Sequence, residues 1–193
     1  PPGARTVVCP NCMSVLLALA LAGLHRAVPV RQLLVTTLQS VSGAGREALA
    51  RWEKESGGGA EERPAADRLA GNLQPWIGPA GREGAGGEEA DLAAQLPRLL
   101  HAPGLQVEAT CVRVPIPRGH SAAVHCRLAR PVPPAAAAAA LAAPPWVAVE
   151  ERGPTPLAAV GSPRVHVGRI RRSDILAPGI AFWLTGDQLL LGA

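Results

Sequence analysis

Asn11-Cys12-Met13-Ser14-Val15-Leu16-Leu17-Ala18-Leu19-Ala20-Leu21-Ala22-Gly23-Leu24-His25 is the stretch whose reading decides the fold. Residues 13–24 form the most apolar run of the chain, but a bilayer span needs about 20 such residues. Arg26 and Arg31 also follow closely. A secretory leader is not expected either, because Pro1-Pro2 opens the chain and no basic start precedes the apolar run. The stretch is read as a buried helix from Cys12 to about His25. Asn11 serves as its N-cap, and Pro10 halts a short strand over 6–9.

Working outward, residues 30–40 have the β-branched, alternating pattern of a strand, and Ser42-Gly43-Ala44-Gly45 makes a turn. Residues 46–55 read as an amphipathic helix, and 56–59 and 78–87 as Gly-rich loops. A second amphipathic helix is expected over 88–101, with acidic residues in its first turn, where they suit the helix dipole. Strands at 106–114 and 122–128 follow, then an alanine-rich surface helix at 134–143. Strands at 146–151, 165–171 and 180–185 complete a sheet of five or six. Strands and helices mix without strict alternation, which implies an α+β fold with a mixed, mainly antiparallel sheet.

The length of 193 residues suits one domain with a substantial core. With 48% hydrophobic and 18% charged residues the chain is globular rather than disordered. The net charge of +4 comes from scattered arginines, with Lys54 the only lysine. A basic stripe interleaved with aromatics is absent, so nucleic acid is not an expected partner, and neither is a membrane. Four cysteines make no disulfide scaffold and point to the reducing cytoplasm.

Cys9-Pro10-Asn11-Cys12 admits several readings. It has the spacing of a redox pair between strand and helix. A zinc site would need a second close pair, and Cys111 and Cys126 lie on different expected strands, so no metal is expected. Cys12 could also be a single reactive thiol, since a helix N-terminus favours thiolate. Or it could simply pack as a small hydrophobe.

The surrounding motifs add to this. Pro10-Asn11-Cys12 is similar to the Asn-Pro-Asn-Cys signature of aspartate-semialdehyde dehydrogenases. Gln39-Ser40-Val41-Ser42-Gly43-Ala44-Gly45 resembles the family's Gln-x-x-Ser-Gly-x-Gly turn, and 72–78 its Asn-x-x-Pro-x-Ile-Gly segment. Glu88-Glu89 resembles the start of Glu-Glu-x-Lys, and 111–121 the Cys-Val-Arg…Arg-x-His-Ser segment with Arg113 and His120 in place. Pro154-Thr155-Pro156, the segment 167–171 and Gly186-Asp187 resemble later landmarks.

The resemblance implies a fold like the C-terminal domain of glyceraldehyde-3-phosphate-dehydrogenase-like enzymes. It implies reduction of aspartyl 4-phosphate to aspartate semialdehyde with NADP as cofactor, in lysine, methionine and threonine biosynthesis. Cys12 would be the nucleophile, carrying an acyl thioester, and His120 the general acid/base, as imidazole exchanges protons near neutral pH. Arg113 would grip the substrate carboxylate in a forked pair. Glu88 would meet the amino group, Gln39 would orient the reacting carbonyl, and Asn11 would shape the pocket or only cap the helix. Ser42 and Gly43 would approach the nicotinamide nucleotide. Partners would be the small substrate, phosphate and a second copy of the chain.

Departures from the family pattern sharpen these expectations. No strand–GxGxxG–helix unit is found, so residues 1–193 are expected to be the catalytic and dimerisation domain, with the Rossmann domain and the closing C-terminal helix outside it. The chain alone is then expected not to bind NADP productively. The phosphate lysine falls at Asp91, leaving Arg82 as the nearest substitute. Cys9 replaces Asn and could pair with Cys12. Gln188-Leu189-Leu190 replaces Asn-Leu-Arg. Two rival readings are a catalytically silent paralogue that keeps the dimerisation surface and an N-acetylglutamyl-phosphate reductase, against which Asn11 and Met13 argue.

Overall fold

The computed structural model describes residues 3, 8–58 and 64–192, without the side chain of Arg82. Helix α1 (Cys12–Ala27) begins where the Asn11 side chain accepts the Met13 N–H at 2.8 Å. It ends where Val28 turns extended and returns its N–H to Leu24. Met13, Leu16, Leu17, Ala20, Leu21 and Leu24 recur at helical spacing and are completely buried. Each leucine hidden in this way contributes roughly 1.5–3 kcal/mol.

Strand β1 (Val30–Gln39) alternates as expected, with Leu33, Val35, Thr37 and Gln39 on the buried face. A tight turn at Val41–Ala44 leads into α2 (Arg46–Ser56), none of whose residues is fully buried. Helix α3 (Gly87–Leu99) follows, then β2 (Gln106–Arg113), β3 (His120–Leu128) and α4 (Pro134–Ala142). The chain continues through β4 (Val147–Val149), α5 (Pro156–Ala159), β5 (Val165–Ser173), β6 (Gly179–Gly186) and α6 (Gln188–Leu191). The strand expected over 6–9 falls largely outside the described residues, and Val8 and Cys9 are not in a strand.

The six strands form one sheet in the order β2-β1-β3-β6-β5-β4. The joins β1–β3, β3–β6 and β5–β6 are antiparallel, while β1–β2 and β4–β5 are parallel. The α+β class with a mixed, mainly antiparallel sheet is therefore observed. Helices α1, α3 and α4 cover one face and close the core with it. The alanine-rich α4 is more than a surface helix, since Ala137 and Leu141 are fully buried. It lies so close to α1 that a Cβ on Gly23 would overlap the Ala140 carbonyl oxygen.

Register brings distant residues to one end of the sheet. Gln39, the last residue of β1, pairs with Arg113, the last of β2. Because β3 runs the other way, it begins at that end with His120, which pairs with Gly186 at the end of β6. The start of α1 meets the same end through the chain after α6, where a Cβ on Gly192 would lie 3.1 Å from Cys12 Cα.

Candidate active site

Strand ends and helix starts supply the candidate residues. Cys12 opens α1 and is half-buried. Burial, reinforced by the Glu88 carboxylate, pushes its thiol up to about 11, while the Met13 N–H and Arg113 pull the other way. The thiolate expected from the helix N-terminus is thus not favoured in the resting site. Desolvation and a like charge outweigh the helix end. Cys9 is exposed, and both cysteines are free thiols.

Asn11 has its side-chain oxygen on the Met13 N–H and its own N–H on Gln95 Oε1 at 2.8 Å, so it acts as the cap. Gln39 is completely buried, and its Nε2 donates to Glu88 Oε2 at 2.7 Å and to Thr37 Oγ1 at 3.3 Å. A carboxylate only accepts, which fixes the amide orientation. Gln39 Oε1 is left buried without a partner. Since both amide hydrogens are engaged, Gln39 offers an acceptor here rather than the donor that a carbonyl would need.

Arg113 is buried to 6% exposure and donates from Nη1 to the Ser40 carbonyl at 2.7 Å. It makes no direct ion pair among the described residues. Its charge reaches Cys12 and His120, and with Glu88 it sets the field of the site. Burial, helped by Arg113, pushes His120 down to about 3. The ring is therefore neutral at neutral pH instead of titrating there. Its Nδ1 accepts the Ser40 N–H at 3.1 Å, and its Nε2 is buried with no partner.

Gly43 is exposed, yet a Cβ there would stand 2.8 Å from Arg113 Nη1 and 2.9 Å from His120 Cε1. Only glycine leaves that wall open. Ser42 Oγ accepts from Gln188 Nε2 at 2.7 Å, which engages its hydroxyl inside the turn. Cys12, Glu88, Arg113, Gln39, His120, Ser42 and Gly43 thus form one cluster, whereas Asp91 is exposed on α3.

Comparison with known proteins fits this geometry. Residues 21–191 match the model described as semialdehyde dehydrogenase, dimerisation domain. The chain belongs to the semialdehyde dehydrogenase family. The aspartate-semialdehyde dehydrogenase of Synechocystis sp. is 37% identical over 95% of this chain and 57% of its own length. The crystal structure of aspartate semialdehyde dehydrogenase II from Vibrio cholerae has a TM-score of 0.88 at 29% identity, over 93% of this chain and 56% of that one. The same enzyme complexed with ASA has a TM-score of 0.87, with the same identity and coverage. The semialdehyde dehydrogenase chain thus spans just over half the length of these relatives.

Several participants in this semialdehyde dehydrogenase site were not singled out from sequence. Glu89 Oε2 accepts the Gly86 N–H at 2.7 Å and Oε1 the Cys111 N–H at 2.8 Å, tying the start of α3 to β2. Gln95 holds Asn11 from across 84 positions. Gln188, noted only as a departure, bonds both Ser42 and Gly119. Polar residues that act through partners distant in sequence give no periodic signal, so only the tertiary structure exposes them.

Proposed function

We propose that this chain is the catalytic and dimerisation domain of an NADP-dependent aspartate-semialdehyde dehydrogenase. The observation that carries the reading is the cluster itself: a thiol that feels a carboxylate and a guanidinium, and a buried imidazole nitrogen without a partner that shares the same guanidinium. Arg113 takes the α-carboxylate of aspartyl 4-phosphate, and Glu88 takes the amino group. Pairing with that ammonium offsets the Glu88 charge, which adds to burial in holding Cys12 protonated. The Cys12 thiol releases its proton to water, its sulfur bonds to the acyl carbon, the acyl C–O bond to phosphate breaks with its electron pair leaving on phosphate, and a thioester remains on Cys12. His120 presents Nε2 to the oxygen that gains charge in this step.

The open wall at Gly43 and the turn at Ser42 fit the nicotinamide end of NADP, since a side chain there would fill the space beside His120. When bound, NADPH supplies the hydride that reduces the thioester. The rest of its binding is assigned to a nucleotide-binding half outside these residues, and the isolated chain is expected to give no NADP-dependent turnover.

The sheet face opposite the helices carries Leu34 at 42% exposure together with half-buried Leu38, Ala123 and Trp183, and suits a second copy of the chain. No helix among the described residues is long and apolar enough to cross a membrane. The cytoplasm, where free thiols persist, is the proposed setting.

The test is protection of Cys12 from iodoacetamide by L-aspartate semialdehyde, which the thiol captures as a hemithioacetal. Protection by aspartate semialdehyde but not by acetaldehyde supports the reading. Equal labelling in the presence and absence of aspartate semialdehyde would contradict it.

A further inference from the structure

The end of the sheet remote from Cys12 carries a break in strand pairing. Val30 of β1 pairs with Leu128 of β3, but the next pair is Gln32 with Arg127, so Arg31 is an extra residue in a β-bulge. The core shows the same shift. Val30 and Leu33 are both buried in it although they stand three positions apart. Plain alternation from Leu33 and Val35 would turn Arg31 inward with them. The bulge instead leaves exposed Arg31 and half-buried Gln32 side by side on the outside.

These two residues line a cavity of about 370 Å3 together with Gln106, Arg127, Leu128 and Pro178. Strand β1 lies between β2 and β3, and Gln32 stands opposite Gln106 on one side and Arg127 on the other. Gln32 Nε2 donates to Gln106 Oε1 at 2.7 Å, which leaves the Gln106 amide hydrogens without a partner among the described residues. Arg31 and Arg127 form no ion pair among the described residues. No acidic side chain lines the cavity, and Glu108, further along β2, lines the adjoining one instead. The wall thus offers two guanidinium forks and amide donors with no carboxylate to neutralise them. The volume lies in the range of small-molecule sites, roughly 300–1,000 Å3. Gln32 and Gln39 stand seven residues apart on β1. That is a rise of about 23 Å, so the cavity is separate from the cluster around Cys12.

We propose that this cavity is a second binding site, for a small organic dianion with two carboxylate or phosphate groups. Arg31 and Arg127 each hold one charged group in forked hydrogen bonds, and Gln106 donates to the oxygens between them. The two arginines come from neighbouring strands, which run about 4.8 Å apart, so a short link between the charged groups suffices. The inference does not depend on the proposed reaction.

Calorimetric titration of the chain with succinate at fixed ionic strength tests this, with propionate and the neutral succinamide as controls. Succinate should bind saturably at one site per chain. Propionate should bind at least about tenfold more weakly, and succinamide not at all. Arg31→Gln and Arg127→Gln, both at exposed positions, should each raise the succinate Kd by about tenfold or more. Iodoacetamide should label Cys12 at the same rate with and without succinate, since that thiol reports on the other end of the sheet. Unchanged affinity in either variant would overturn the proposal, as would equal binding of propionate or succinamide. Protection of Cys12 by succinate would place the ligand at the Cys12 cluster and overturn it too. Heat that follows succinate concentration without saturating would show screening of surface charge only, with the same consequence.

Discussion

His120 and His166 lie on strands of the same sheet, and their surroundings teach opposite lessons. His166, in β5, faces Glu150 Oε1 from Nδ1 at 2.5 Å and Ser162 Oγ from Nε2 at 2.8 Å, so both ring nitrogens are partnered. His120 has two donors on Nδ1 and none of the described groups on a fully buried Nε2. An unsatisfied buried donor costs about 1–3 kcal/mol, which a fold tolerates where a ligand supplies the missing partner. A histidine, a serine and a carboxylate in contact invite a catalytic reading. On the proposed reading the fully satisfied trio is structural, and the incomplete site is the chemical one.

Replacing the two histidines in turn tests this contrast with the largest expected effect. In the proposed full-length enzyme, His120→Gln should lower kcat by about 100- to 10,000-fold, whereas His166→Gln should leave it within about twofold. Comparable losses in both would erase the distinction.

Glu88 should give the next largest effect. Its carboxylate raises the Cys12 thiol, so Glu88→Gln lowers the thiol's titration point from about 11. Iodoacetamide should then label Cys12 faster at pH 8, by about tenfold for each pH unit by which that titration point falls. Substrate turnover should fall, because the amino group loses its partner. A slower or unchanged labelling rate would remove Glu88 from the control of Cys12.

Much of the fold was legible because its signals are local. Apolar spacing in 13–24 with Asn11 before it marked α1, and alternation in 30–39 marked β1. The parallel pairing of β1 with β2 was not legible, because a strand's own pattern does not name its neighbours. At the site, Cys12, Arg113, Gln39 and Glu88 were singled out through motifs, and the structure brings them together. Their charge states were not legible, since burial and neighbours set them: Cys12 rises and His120 falls, both against the sequence-based expectation. The link from Gln188 to Ser42 spans 146 positions and carries no local pattern.

Acid stability offers a subtler probe. His120 binds a proton at about 3 when folded, well below its ordinary value of 6.5, so the unfolded chain takes up the proton first. Its contribution to stability is complete above about pH 6.5 and is lost as pH falls toward 3. The slope of unfolding free energy against pH over that window should be shallower in His120→Gln than in the parent chain. Denaturant titrations at several pH values measure this, and parallel slopes would contradict the burial argument. The smallest effect belongs to His166→Gln, a loss of about 1–2 kcal/mol from its hydrogen bonds, read from the same titrations at neutral pH.

The account rests above all on Cys12 as the atom that carries the acyl group. Brief reaction of the chain with aspartyl 4-phosphate, an acid quench and peptide mass mapping test this directly. The expected result is a single aspartyl group on Cys12, released by hydroxylamine and absent in Cys12→Ser. An unmodified Cys12, or an acyl group on another residue, would contradict it.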